Sequence, residues 1–293
     1  MSLTELEVEI EARQAQEFED HLFALGAVSV EMFDAGDEPL FEPPPGTHPL
    51  WSTVRLKAIF ADGLQADIAT AALHSREPAV AKATVTPIVE QDWIRAGLAG
   101  LTRIHCGGNL WIVPSWEHLP DVKNGVFVHL DPGLAFGTGT HPTTAMCLAS
   151  LAAAPPKGQR ILDYGCGSGV LAIAALQLGA AHAMAVDIDP QALQATRTNA
   201  ERNGISGQQL ATATAETAVP ASSFDLVLAN ILAAPLIALA PTLALSARTG
   251  ARLLLAGLLD WQAETVEAAY RHDFDIGVAA QKDGWVLLEG RRR

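Results

Sequence analysis

Two carboxylates, Asp163 and Asp187, stand at apolar runs on either side of three alternating glycines, Gly165, Gly167 and Gly169. Ile161-Leu162-Asp163-Tyr164 leads into the glycines and Val170-Leu171-Ala172-Ile173 leads out of them, an order that reads as strand, tight turn and helix. Glycines in such a turn let the backbone approach a ligand closely, and an acid at the tip of the next strand can accept both hydroxyls of a ribose. A dinucleotide-binding turn has the spacing G-x-G-x-x-G and aims a helix N-terminus at a pyrophosphate. Here the spacing is G-x-G-x-G, and Asp163 precedes it. That carboxylate repels pyrophosphate and suits an ammonium. The candidate cofactor contacts from this stretch are Asp163, Gly165, Gly167 and Asp187. Two further residues carry possible chemistry. Asn230 ends the apolar run Phe224 to Ala229, where an amide is costly unless hydrogen-bonded. His141, within a glycine-rich approach, titrates near neutral pH and suits either proton relay or helix capping.

The elements that must position these groups follow from periodicity. In the first third, Leu6 to Ile10 alternates with glutamates as a half-buried strand. Helices are predicted from Gln14 to Leu25 and from Leu64 to Leu73, strands at Val28 to Phe33, Val54 to Phe60 and Ala83 to Val89, and a proline-rich loop over residues 34–50. That β-α-β-β-α-β order matches a split βαβ, or ferredoxin-like, unit. Residues 1–96 are assigned to it and residues 97–124 to a connector. From residue 125 to 293 strands alternate with helices. Strands are expected at Val126 to Leu130, Ile161 to Tyr164, Ala185 to Asp187, Leu210 to Thr214, Phe224 to Ala229, Arg252 to Ala256, Phe274 to Ala279 and Trp285 to Glu289. Helices are expected at Thr143 to Ala153, Gln191 to Arg202 and Gln262 to Tyr270. The fold class is therefore α/β, a seven-stranded Rossmann-like sheet preceded by a small α+β domain, with the ligand at the carboxyl ends of the strands.

Composition narrows the function. The chain of 293 residues has 49 % hydrophobic residues and a formal net charge of -14, which argues against general nucleic-acid affinity. Residues 1–97 hold 17 acids against 6 bases, so 11 of the 14 excess negative charges lie there. Such a surface either aids solubility or docks a basic macromolecule. Cys106, Cys147 and Cys166 are dispersed without a C-x-x-C pair, which suits a reducing cytoplasm and no metal. Met1 to Glu7 lacks a basic and then apolar order, so no signal peptide is expected. Leu226 to Ala247 is apolar but broken by Asn230, Pro235 and Pro241, and fits a buried strand followed by a helix better than a membrane span. The expected state is a cytoplasmic monomer.

The glycine turn with its two acids resembles motif I of the class I methyltransferases, which bind S-adenosylmethionine. The runs Leu134-Ala135-Phe136-Gly137-Thr138-Gly139-Thr140-His141-Pro142-Thr143-Thr144 and Asn230-Ile231-Leu232-Ala233 resemble those of the bacterial ribosomal protein L11 methyltransferases. The resemblance covers essentially the whole chain. It implies a protein N-methyltransferase acting on lysine side-chain amines and the N-terminal α-amine of ribosomal protein L11, up to trimethylation, with the acidic N-terminal domain recognising that basic partner. It implies cofactor contacts from Thr144, Gly165, Asp187 and Asn230, and a site needing neither metal nor protein nucleophile. Asn230 is the first catalytic candidate and His141 the second; Phe136 suits packing or a cation–π contact with a methylated ammonium. Gly133, Gly137 and Gly139 suggest that the approach loop moves. The alternatives are a methyltransferase of another protein amine or amide, a non-catalytic cofactor-binding module, and a nicotinamide oxidoreductase.

Overall fold

The computed structural model describes residues 3–36, 50–76, 83–88, 102–131, 141–217 and 219–293. The chain forms two compact units, Met1–Gly97 and Leu98–Arg293. In the first, strands β1 (Thr4–Glu11), β2 (Ser29–Asp34), β3 (Thr53–Phe60) and β4 (Thr84–Pro87) form an antiparallel sheet in the order β2-β3-β1-β4, with helices α1 (Ala15–Ala24) and α2 (Gly63–Arg76). This is the ferredoxin-like order. The period of two in β1 works as the alternation predicts, because Leu6, Val8 and Ile10 pack with Phe18, Leu22, Leu56 and Leu73 while the glutamates face outward. The outward acids are not all free charge. Lys57 Nζ lies 3.2 Å from Glu5 Oε1 and 3.2 Å from Glu7 Oε2, and Arg55 Nη2 lies 3.2 Å from Glu9 Oε1. Hydrogen bonds donated by Lys57 to Glu7 and Glu5 hold its pKa above its usual value.

The second unit contains strands β5 (Ile104–His105), β6 (Leu110–Val113) and β7 (Val126–His129), which form a small sheet in that order. Within the stretch read as a connector, β6 therefore runs parallel to β7, with Leu110 opposite Val126 and Val113 opposite His129. The main layer holds β8 (Arg160–Tyr164), β9 (His182–Asp187), β10 (Leu210–Thr214), β11 (Phe224–Asn230), β12 (Ala247–Leu259), β13 (Phe274–Lys282) and β14 (Trp285–Arg292). Their order is β10-β9-β8-β11-β12-β14-β13, parallel as far as β12 and antiparallel through the closing hairpin. The helices of this unit are α3 (Pro142–Ala153), α4 (Val170–Gln177), α5 (Pro190–Arg202), α6 (Ala233–Ser246) and α7 (Ala263–Tyr270). Helices cover both faces of the sheet, which explains the unbroken apolar run of β11. Leu226 and Leu228 join a core with Ile161, Leu171 and Leu254, while Val227 and Ala229 join another with Leu162, Leu236 and Leu255.

The helix and strand bounds follow the sequence expectations closely, with two informative differences. Strand β4 is shorter than Ala83 to Val89, and Val89 itself lies outside the described residues. Strand β12 begins at Ala247 rather than Arg252, because its pairing with β11 passes from Phe224 opposite Ala247 to Leu226 opposite Arg252, and Arg248 to Ala251 stand against the single residue Asp225. That bulge makes the stretch look like a turn in sequence. The order of the strands reverses at β8, whose neighbours are β9 on one side and β11 on the other, so a crevice for ligand lies outside their carboxyl ends. The packing beneath it is tested at Tyr270, which is 1 % exposed and donates its hydroxyl to the Leu236 carbonyl at 2.7 Å. Tyr270→Phe should cost about 1–3 kcal/mol in equilibrium denaturation, because that buried carbonyl loses a donor.

Candidate functional site

Strand β8 ends at Tyr164, and the turn that follows is tied to β9 by its own backbone. The N–H groups of Gly165 and Cys166 donate to the Val186 carbonyl at 2.7 and 3.0 Å. Gly165, Gly167 and Gly169 have φ of 77°, 52° and 77°. At Gly165 a β-carbon would lie 2.2 Å from Ile231 Cγ2, so this glycine is required by the segment after β11 before any ligand is considered. Helix α5 completes the turn. Thr196 Oγ1 donates to the Gly167 carbonyl at 3.0 Å and Asn199 Nδ2 to the Ser168 carbonyl at 2.9 Å.

Asp187 lies half-buried at the tip of β9. Its two oxygens accept the N–H groups of Gly167 at 2.9 Å and Asp189 at 3.0 Å, a pair of bonds that fixes the plane of the carboxylate and leaves lone pairs for further donors. Asp163 is 1 % exposed and accepts the Ala172 N–H in the first turn of α4 at 3.1 Å. Burial pushes its pKa up to about 7, with the negative charge of Asp187 adding to the rise and the Ala172 bond opposing it. The site thus offers two carboxylates of different character: one half-exposed and anchored, the other deep and poised to ionise.

On the other side of the crevice, Asn230 closes β11 and its Nδ2 donates to Thr144 Oγ1 at 3.2 Å. Thr144 is 3 % exposed in the first turn of α3. The structure therefore brings together two residues 86 positions apart in the chain. It places His141 at the N-cap of the same helix. There Nδ1 accepts the Thr143 N–H at 3.4 Å and sits 2.7 Å from Thr143 Oγ1, while the imidazole meets Trp285 edge-on at 4.9 Å between centroids. Desolvation lowers the His141 pKa, so the ring is neutral at pH 7, and an Nδ1 that accepts the cap carries its proton on Nε2. Phe136, Gly133, Gly137 and Gly139 lie outside the described residues.

The close packing of Ile231 against Gly257 has no counterpart among the sequence expectations. Ile231 donates its N–H to the Ala256 carbonyl at 3.1 Å, and a β-carbon on Gly257 would lie 2.3 Å from the Ile231 carbonyl oxygen. A glycine interrupting the apolar run of β12 was the available signal, since glycine inside a strand marks a close backbone approach. Thr196 and Asn199 gave no signal, being polar residues on an otherwise amphipathic helix. Among the described residues no cluster of three or more His, Cys, Asp or Glu is placed to hold a metal ion.

The donor set fits S-adenosylmethionine: an anchored strand-tip carboxylate for ribose hydroxyls, a buried carboxylate for a cation, and a glycine turn into which a β-carbon cannot be built. The strand order and this turn define a class I S-adenosylmethionine-dependent methyltransferase. A family model described as Ribosomal protein L11 methyltransferase (PrmA) matches residues 2–293. Proteins named ribosomal protein L11 methyltransferase from Pseudomonas putida strain GB-1 and Azotobacter vinelandii are 47 % and 48 % identical over 296 and 294 residues, with 100 % of both chains covered in each case. A crystal structure of ribosomal protein L11 methylase from Lactobacillus delbrueckii subsp. bulgaricus has a TM-score of 0.58 at 34 % identity, covering 66 % of this chain and 100 % of that one. The chain belongs to the ribosomal protein L11 methyltransferase family.

Two outcomes test this geometry. Gly165→Ala should lower S-adenosylmethionine affinity by about tenfold or more in calorimetric titration, and Ile231→Ala should not restore it fully, because the positive φ at residue 165 persists. Asp163 rises from an ordinary 3.8 to about 7, so between those values the folded chain keeps a proton that the unfolded chain has lost. Its contribution to stability is present at low pH, falls as pH rises through that window, and is constant above it. Asp163→Asn should remove this slope, and urea unfolding at low and high pH should show the variant gaining on the parent toward alkaline pH.

Proposed function

We propose that this chain transfers methyl groups from S-adenosylmethionine to amines of ribosomal protein L11, namely lysine side chains and the N-terminal α-amine, as far as trimethylation. The observation that carries the reading is the Asn230 carboxamide at the carboxyl end of β11. Its Nδ2 is committed to Thr144, and its carbonyl oxygen takes no hydrogen bond among the described residues. That oxygen is free to accept an N–H of an amine and turn its lone pair toward the cofactor. When bound, S-adenosylmethionine supplies an electrophilic methyl on a sulfonium, so the chain needs to provide only a neutral, aligned amine. A lysine of ordinary pKa, about 10.4, is neutral in roughly one molecule per thousand near pH 7.4, a handicap of about 4 kcal/mol. Desolvating that ammonium at the strand ends offsets the handicap, and alignment supplies further rate.

In this reading Asp187 receives the ribose hydroxyls, Asp163 pairs with the cofactor's ammonium, and the turn at Gly165 and Gly167 lets the backbone close on it. Thr144 holds Asn230 in place. Ile188, 83 % exposed beside Asp187, gives apolar surface to the flat ring of the nucleoside. His141 serves by capping α3. The acidic first unit docks the basic ribosomal protein, the domain boundaries being residues 1–96, 97–124 and 125–293. The protein works as a cytoplasmic monomer; no described helix is long and apolar enough to cross a membrane.

Label transfer from S-adenosylmethionine to unmethylated ribosomal protein L11, followed by mass mapping, tests the reading. Asn230→Ala should lower kcat by about tenfold or more while cofactor affinity changes less. A chain beginning at Leu98 should bind cofactor yet lose transfer to L11. Label appearing on some other protein, or none on L11, would send the search to a different amine or amide.

A further inference from the structure

The seven-stranded sheet has a second concave site at its opposite edge, where the parallel strands begin. The cavity measures about 480 Å³, and its lining includes Gln159, Asp225, Arg248, Thr249, Arg252 and Arg291. It is built by the β12 bulge, in which Arg248 to Ala251 stand against Asp225 alone. One wall is rigid. Arg252, 13 % exposed, is held with Nε 2.7 Å from Glu289 Oε1, Nη2 2.9 Å from Glu289 Oε2 and Nη2 2.6 Å from Ser150 Oγ. Those bonds occupy one edge of the guanidinium and leave Nη1 uncommitted among the described residues. Arg248 is ion-paired with Asp225, which also accepts the Arg160 N–H at 2.8 Å. Arg291 donates to the Gly250 carbonyl at 3.2 Å and has no carboxylate within ion-pair distance among the described residues.

Two features of this lining point to a ligand. Arg252 and Arg291 are directly opposite each other across the β12–β14 pair; Glu289 compensates Arg252, whereas Asp275, opposite Arg291 on β13, makes no ion pair with it among the described residues. Of the nearby carboxylates, Asp225 and Glu289 are already engaged, and the amide of Gln159, the hydroxyl of Thr249 and the outer edges of three guanidinium groups have no acceptor among the described residues. A surplus of N–H donors with positive charge selects an oxyanion with several acceptor oxygens, and guanidinium forks match phosphate bidentately. The volume is that of a small-molecule pocket, larger than a bare phosphate fills.

We propose that this arginine-lined cavity binds a phosphate ester borne on a nucleotide-sized group. A free mononucleotide and the backbone of an RNA strand share that chemistry. Six residue steps along β11 separate Phe224 from Asn230, about 20 Å, so the ligand does not compete with the methyl donor. With a net charge of -14 on the whole chain, binding is local and weakens steeply with salt.

The test uses the full chain at low salt with saturating S-adenosylhomocysteine, which keeps adenine nucleotides out of the cofactor site. Inorganic phosphate, adenosine monophosphate and a short fluorescein-labelled RNA are titrated in turn. Saturable binding of the nucleotide or the RNA is expected, the tighter of the two identifying the source. Affinity should fall about tenfold in Arg291→Ala and further in Arg291→Ala with Arg248→Ala, with Arg291→Lys in between and methyl transfer unchanged. Among the described residues the Arg291 side chain bonds the Gly250 carbonyl alone, so its single substitution keeps the test valid if the double variant folds poorly. No saturable binding of either probe, equal affinity in Arg291→Ala, or inorganic phosphate binding as tightly as the nucleotide would overturn the proposal.

Discussion

Ile231 is held where two other strands leave no room for it to shift. On one side Gly165 approaches its side chain, and on the other Gly257 approaches its carbonyl, each so closely that no β-carbon fits. Its N–H is bonded to Ala256. Through these contacts the end of β11, the turn after β8 and the carboxyl end of β12 become one piece, and the bonds from Gly165 and Cys166 to Val186 add β9 to it. Asp187 and Asn230 are therefore placed by the same backbone, although in the proposed function one serves the cofactor and the other the amine. Transfer chemistry that depends on alignment benefits from such a shared frame, since small displacements of either partner cost rate.

Within that frame polar groups are treated unequally. The carbonyls of the glycine turn are satisfied by Thr196 and Asn199, and both oxygens of Asp187 are anchored. Asp163 is different, because burial opposes its ionisation and a single Ala172 N–H opposes the burial. A deep carboxylate beside a second one is an unfavourable arrangement for an empty fold and a favourable one for a cationic guest. In the proposed function the ligand restores the stability given up there, a common trade at binding sites.

The parts legible in the sequence were those whose signal is local. Glycine spacing, an apolar run ending in acid, and alternation in β1 all announce themselves within about ten residues. The strands β5 and β6 were harder to see, being short and held by pairing with β7 beyond a proline-containing stretch. The start of β12 was hidden because Arg248-Thr249-Gly250 has turn chemistry, and the register shift that absorbs it is a property of two strands rather than one. Gly257, Thr196 and Asn199 matter through partners 26 to 31 positions away, at Ile231, Gly167 and Ser168, and nothing near them in the chain reveals those partners.

The bulge at the start of β12 also divides a single strand pair into two regimes. All of its irregularity is spent before Leu226, after which β11 and β12 keep step residue for residue to Asn230 and Ala256. A change in loop length among residues 248–251 is thus taken up locally and never reaches the carboxyl edge. One end of the sheet tolerates a change in length, while a one-residue slip at the other would turn Asn230 to the wrong face.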